Sequence, residues 1–256
     1  NTSGETVLLG RGGSDVSAAY FAAKIGAARC EIWTDVPGMY TANPHVVPSA
    51  RLLQHIDYDE AQEIASLGAK VLHPRTIAPM KKSRIPIHIY STLNMGKDGG
   101  TLISQEASRV DAGIKAISTR RNITLVSMET IEMLHQVGFL ASIFECFRKH
   151  GISIDLISTS ETNVTVTIDN AENSEMKGEK LLSLLKDLKL YCQPKIVDSC
   201  GSISLIGRNV RSILHKISGA LEAFEEEKIY MLSQAANDLN ITFVVDSDMV
   251  DRLAIK

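Results

Sequence analysis

The C-terminal half of the chain repeats itself. Asn163-Val164-Thr165-Val166 returns as Asn240-Ile241-Thr242-Phe243, and the elements around each copy recur in one order at a period of about eighty residues. In the first copy a strand at 123–127 leads to a helix at about 139–150. There Leu140, Ile143, Phe144 and Phe147 form one apolar stripe, and Gly151 is the stop. Strands follow at 152–157 and 164–168, and a leucine-striped second helix at 181–190. In the second copy a strand at 203–206 precedes a helix at 213–226 and strands at 229–233 and 240–245. Residues 249–256 begin the matching last helix and break off partway, as a truncated chain would. Ahead of the repeat, a short strand at 114–118 is set apart by the polar break Arg120-Arg121-Asn122.

The N-terminal part has a different texture. Gly10-Arg11-Gly12-Gly13-Ser14-Asp15 lies between an apolar run, Thr6-Val7-Leu8-Leu9, and an Ala-rich helical segment from Val16 to Gly26. This predicts a strand, a glycine turn and a helix opening, with Ser14 and Asp15 at N-cap positions. Glycines let the backbone approach a ligand, and Arg11 beside Asp15 offers both signs of charge to a small zwitterion. A strand at 29–33 then leads into Thr34-Asp35-Val36-Pro37-Gly38 and Tyr40, a turn at the end of a strand that suits a nucleotide. An amphipathic helix from Asp57 stops near Gly68, followed by Lys70, His73 and Pro74 and a short helix at 75–80. Strands at 85–90 and 101–103 flank the loop from Gly96 to Gly100. Strands alternating with helices predict a mainly parallel α/β layer.

Composition removes several classes. A net charge of −3 without a basic block argues against nucleic acid. No apolar run approaches the roughly 20 residues of a membrane span. The opening residues carry neither a basic nor an apolar leader segment, and a chain that starts one strand before a site reads as part of something longer. Cys30, Cys146, Cys192 and Cys200 show no CxxC spacing, so no metal site is expected, and buried thiols in a reducing cytoplasm are.

Leu9 to Asp15, Trp33 to Gly38 with Tyr40, Leu67-Gly68-Ala69-Lys70-Val71-Leu72-His73-Pro74, and Gly99-Gly100-Thr101 occur together in one order. Together they resemble the C-terminal part of the catalytic domain of the aspartokinases, in the amino-acid-kinase family. The repeated βαββ units resemble ACT domains, the amino-acid-sensing modules that this family carries in tandem, the first inserted into the second. The resemblance implies residues 1–112 as the end of a kinase sandwich with a mainly parallel sheet, 113–198 as a first ferredoxin-like ACT domain and 199–256 as a second. Inserted order would give the strand at 114–118 to the second.

The resemblance implies the chemistry too: phosphorylation of L-aspartate by ATP with Mg2+, with no protein metal ligands identified. Arg11, Gly12, Gly13 and Ser14 would hold the aspartate carboxylate, and Asp15 would organise the substrate ammonium and a phosphate-contacting lysine. Thr34, Asp35, Tyr40, His45, Lys70 and Val71 would line ATP. Two departures stand out. Relatives with Asp-Pro-Arg after the tyrosine differ from Asn43-Pro44-His45 here, where an imidazole stands in place of the guanidinium. The opening K-F-G-G-T-S motif is absent from these 256 residues, so the fragment is expected to be inactive by itself.

The effector expectation rests on Met133, His135, Gly138, Phe139 and Leu140, with Ser153, Ile154, Asp155, Thr159, Ser160 and Glu161. A glycine at a helix start suits a ligand carboxylate, and two acids suit the two ammonium groups of L-lysine. These residues resemble the lysine-sensitive aspartokinases, and a homodimer through the ACT units is expected. A pure sensing and dimerisation module, with the kinase part as scaffold, is the second function class the sequence leaves open.

Overall fold

A computed structural model describes every residue except 1, 8, 11, 70, 95–98, 106–112, 131–136, 171–177 and 217. Of the residues singled out above, Arg11, Lys70, Met133 and His135 lie outside the described set.

The first layer holds β1 (Cys30–Thr34), β2 (His55–Ile56), β3 (Ile87–Ser91) and β4 (Thr101–Ile103) in the order β1-β3-β4-β2. The pairs β1–β3 and β2–β4 are parallel, but β3–β4 is antiparallel. The connection at 92–100 is shorter than the dozen or so residues a parallel crossover needs. Helices α1 (Gly13–Ile25), α2 (Tyr58–Ser66) and α3 (Ile77–Ser83) cover the layer, and their apolar sides meet Ile32, Ile56, Ile87, Ile89 and Ile103 in one core. The strand expected at 6–9 is not seen at the described positions there. Val7 and Leu9 are 58% and 69% exposed and neither is paired in a sheet. Ser14 and Asp15 are not N-caps: Gly12 takes that position in the left-handed region (φ 70), which places both side chains inside the first turn.

The second layer is one six-stranded sheet, β6-β7-β5-β8-β10-β9. Its spine is β5 (Gly113–Glu129) against β8 (Gln193–Arg208), antiparallel from Gly113↔Arg208 to Glu129↔Gln193. The polar break at 120–122 is therefore not a gap between two strands. It is a shift of register inside β5, with Asn122 at φ 60. Such an irregularity bends and twists a strand without ending it.

Either end of this spine builds its own sheet. Residues 123–129 of β5 pair with β7 (Asn163–Asp169), which pairs with β6 (Ile157–Thr159). Residues 200–206 of β8 pair with β10 (Asn240–Asp246), which pairs with β9 (Met231–Gln234). The stretch 114–118 of β5 lies opposite 204–207 of β8, in the sheet of the second copy.

Helices α4 (Phe139–Lys149) and α5 (Gly178–Leu188) cover the first sheet through Phe139, Ile143, Phe147, Leu184 and Leu188. The second copy departs from its helix expectation at 213–226. A 3-10 segment, Val210–Lys216, is followed by a five-residue α6 (Ser218–Glu222). Ser218 and Gly219, poor helix formers, stand in the middle of that stretch. The last helix, α7 (Val250–Ile255), is short and buries Val250 and Leu253. The strand expected at 152–157 is reduced to Ile157–Thr159. Just before it, Thr167 takes two successive N–H groups, that of Asp155 on its carbonyl and that of Leu156 on its hydroxyl. Two residues opposing one is the signature of a bulge.

The two layers are knitted together. Ala116 and Ile206 belong to the core of the first layer, and the Ile117 N–H donates to the Thr41 carbonyl at 2.7 Å. Among the described residues no helix is long and apolar enough to cross a membrane. The four cysteines are free and buried, and burial pushes the Cys192 and Cys200 thiols up to about 11, leaving them unreactive at neutral pH.

Candidate functional site

The glycine turn and the loop after α2 meet. The Gly12 backbone runs so close to His73 that a Cβ added there would lie 2.3 Å from the imidazole ring. The His73 N–H donates to Asp15 Oδ2 at 3.3 Å, and His73 Nδ1 accepts from the Arg75 N–H at 3.2 Å. Thus the start of α1 and the stretch 71–76 form one wall, with the Asp15 carboxylate at its seam. The first N–H group of α1, that of Gly13, donates to the Gly10 carbonyl at 3.2 Å and closes the turn. Gly12, Gly13 and Asp15 are half-buried and Ser14 is exposed, its hydroxyl 3.3 Å from Asp15. Val71 stands half-buried on the facing loop.

A second group gathers at the carboxyl end of β1. The Thr34 hydroxyl donates to Asp35 at 3.1 Å, and the Thr34 carbonyl accepts from both the N–H and the hydroxyl of Thr92. Gly38 packs onto Thr101, whose hydroxyl accepts the Met39 N–H at 2.9 Å, so the turn is clamped to β4. Tyr40 is half-buried and bridges to Leu52. His45 is exposed, and its backbone N–H donates to the Asn43 side chain at 3.0 Å. Thr34, Asp35 and Tyr40 thus sit where an open α/β sheet receives ligands, outside the carboxyl ends of its strands.

Behind these groups α2 is held by a buried polar set. Asp57 caps the helix with a capping box, its side chain accepting the Asp59 N–H at 2.8 Å. Glu60, fully buried, accepts Lys115 Nζ at 2.7 Å, and Arg208 pairs with Asp57 and lies 3.7 Å from Glu60. Glu63 accepts from Asn237 at 3.0 Å and from Asn240 at 2.6 Å. Burial holds its carboxyl above the ordinary value, although both amides pull it down. Every one of these cations and amides comes from the second layer.

In the first copy of the repeat, Gly138 is the N-cap of α4 at φ 89, with Phe139 buried and Leu140 exposed. Ser153 is exposed and Ile154 packs against the α4 core. Asp155 stands at the head of β6 and is paired with Arg120 at 3.4 Å. Thr159, Ser160 and Glu161 are exposed at the other end, where the Ser160 N–H donates to the Asn163 carbonyl. Two residues have places that their spacing does not announce. His73 joins the glycine turn, and Arg120 joins three segments. In the sequence His73 stands out only as a member of the Leu67–Pro74 motif, and Arg120 only as a member of a polar run.

The family model of the amino acid kinase family matches residues 1–91, and an ACT domain model matches residues 126–175. The chain is 38% identical over 258 aligned residues to the lysine-sensitive aspartokinase 3 of Escherichia coli, covering 99% of this chain and 56% of that protein. It is 33% identical to the chloroplastic aspartokinase 3 of Arabidopsis thaliana, over 94% of this chain and 43% of that one. It superposes on crystal structures of E. coli aspartokinase III. With aspartate and ADP bound (R-state) the TM-score is 0.86 at 37% identity, covering 98% of this chain and 56% of that one. With lysine and aspartate bound (T-state) it is 0.82 at 36% identity, covering 99% and 56%. The chain therefore spans about half the length of the relatives it matches.

Proposed function

Residues 1–91 of this chain belong to the amino acid kinase family and 126–175 to the ACT domains, and from that premise we propose that the chain is the nucleotide-side and regulatory part of an aspartate kinase. The observation that carries this reading is the seam at Asp15, where the glycine turn and the loop through Val71 and His73 face each other. Arg11, Gly12, Gly13 and Ser14 take the substrate carboxylate, and Asp15 keeps the turn and the loop in register. Thr34, Asp35, Tyr40 and His45 receive the nucleoside, and Lys70 with Val71 the phosphates. Transfer of a phosphoryl group is mostly positioning and neutralisation of charge, so two loops locked together are what such a reaction asks of this half. Among the described residues no group of three or more His, Cys, Asp or Glu side chains could hold a metal ion. Magnesium carried by the ATP phosphates, neutralising their charge, needs no more than one or two carboxylates.

The regulatory part senses L-lysine. Gly138, Phe139 and Leu140, with Met133 and His135, form its carboxylate end, and Ser153, Ile154 and Asp155 with Thr159, Ser160 and Glu161 its ammonium ends. Asp155 and Glu161 stand at opposite ends of β6, on the order of 20 Å of extended chain apart at about 3.3 Å per residue. One lysine reaches both where a second copy of the chain, paired by a two-fold axis, supplies one of them. That pairing also covers the exposed edge of β6. We divide the chain at 1–112, 113–198 and 199–256, with 114–118 counted in the second regulatory sheet.

The experiment incubates the full-length protein with MgATP and L-aspartate and traps the acyl phosphate with hydroxylamine. Turnover is expected there, and only background from these 256 residues alone. Arg11→Ala is expected to raise the KM for aspartate far more than that for ATP, and Lys70→Ala the reverse. No hydroxamate from the full-length protein, or equal shifts of both constants, would remove the reading.

A further inference from the structure

Arg120 stands where three segments of the molecule meet. Its Nη2 donates to the Ser66 carbonyl, one of the acceptors that the last turn of α2 leaves without a helical partner. Its Nη1 lies 3.4 Å from Asp155 Oδ2 and 3.4 Å from Asp169 Oδ2. The Arg120 and Asp155 side chains are each only 18% exposed, so the pair is little screened by water. The segment that Ser66 begins lies directly on β5. Gly68, at φ 136, would place a Cβ 2.5 Å from the Thr119 carbonyl and 3.1 Å from Arg120 Cγ. This same segment runs through Val71 to His73, whose N–H meets Asp15.

A cavity of about 300 Å³ opens beside the guanidinium, lined among others by Ser66, Leu67, Pro74, Ile154, Asp155 and Thr167. Asp155 thus has one side on this cavity and one on the regulatory unit. Asp155 both lines this cavity and pairs with Arg120, so a cation that enters the cavity competes with the guanidinium for that carboxylate. An ammonium that takes Asp155 leaves Arg120, among the described residues, to Asp169 and draws the guanidinium away from Ser66.

We propose that Arg120 is a positioning residue. It tethers the 66–73 segment to the regulatory sheet, and an amino-acid effector whose ammonium binds Asp155 loosens that tether. The tether rests on the geometry alone. The effector half rests on the reading of Asp155 as part of a lysine site, and the test separates the two.

The test is amide hydrogen exchange on the chain as it stands, with and without L-lysine, together with calorimetry. Without ligand, Arg120→Gln is expected to speed exchange at residues 67–73 about tenfold, the scale of a lost charge-assisted hydrogen bond. Amides of the β7 and β10 cores should exchange as in the parent, which separates a lost tether from a weakened fold. Arg120→Lys, unable to reach the carbonyl and both carboxylates together, should fall between. With lysine added, the parent should show the same loosening at 67–73. Arg120→Gln should bind lysine several-fold more tightly and show no further change.

Unchanged exchange at 67–73 in ligand-free Arg120→Gln overturns the tether. Lysine binding to the parent without any effect at 67–73 overturns the coupling. Absence of lysine binding to either form overturns the effector half and the lysine site together, and the ligand-free comparison still decides the tether. Should Arg120→Gln fail to fold, Asp155→Asn carries the test: ligand-free exchange at 67–73 rises, and the lysine response disappears.

Discussion

The Asp15 carboxylate at the start of α1 accepts the backbone N–H of His73, 58 positions further along the chain. That one bond joins the glycine turn to the loop after α2, and the close approach of Gly12 to the imidazole seals the joint. Gly12 is required twice over: its φ of 70 disfavours any side chain, and the His73 ring fills the space a Cβ would take.

Gly12→Ala should therefore push the two loops apart. We expect a loss on the order of 2 kcal/mol in urea unfolding, the scale of one residue forced into a strained backbone region. Faster exchange of the His73 amide should accompany it. Unfolding within about 0.5 kcal/mol of the parent, as for an ordinary surface change, with His73 still protected, would show that the joint does not depend on this glycine.

A second prediction concerns Glu60, fully buried at the junction of the layers and paired to Lys115 Nζ at 2.7 Å. Lys115→Met removes the near cation and leaves Arg208 at 3.7 Å. A buried charge stripped of its partner costs about 3 kcal/mol or more, whereas replacing both members by apolar groups is often close to neutral. Lys115→Met should thus be clearly less stable than the double change Glu60→Met with Lys115→Met. Equal losses for the single and double variants, measured by denaturant unfolding, would mean that Arg208 and the Asp57 N–H already satisfy Glu60.

What could be read from the sequence follows from what is local. The stripe of Ile143 and Phe147 foretold α4 nearly to the residue, because one helix face obeys one period. The Asn-x-Thr echo marked β7 and β10, and both asparagines do open their strands. Asn163 accepts from the Thr165 hydroxyl at 2.7 Å and Asn240 from Thr242 at 3.5 Å. The echo fails where the copies serve different neighbours. Asn163 donates to Ser127 inside its own sheet, while Asn240 reaches across to Glu63 on α2. Arg120-Arg121-Asn122 looked like a break because charged residues rarely sit mid-strand. Their charges are answered by Asp155, Asp169 and Asp251, far away in sequence. Around the site, the glycine turn at Gly12 and the strand end at Thr34 were legible from spacing, whereas Asp15, expected as an N-cap, stands inside the first turn. His73 and Arg120 were not legible, since what defines each is a partner more than thirty positions off.

The last prediction turns on Glu63, whose carboxylate takes two amide donors from the second layer and is nevertheless held above its ordinary value of 4.5 by burial, with the Asp59 charge acting in the same direction. A carboxyl that keeps its proton longer in the folded chain makes the folded state bind more protons than the unfolded one across that interval. Stability from this group is then greatest below about 4.5 and declines as pH rises through the folded value. Glu63→Gln has no proton to lose. The difference in unfolding free energy between variant and parent should therefore move in favour of the variant as pH is raised from about 4.5 to 7. Urea unfolding of both proteins at a series of pH values measures that difference directly. A difference that stays constant across the series, or that moves toward the parent, would show that the amide bonds to Asn237 and Asn240 outweigh the burial of Glu63.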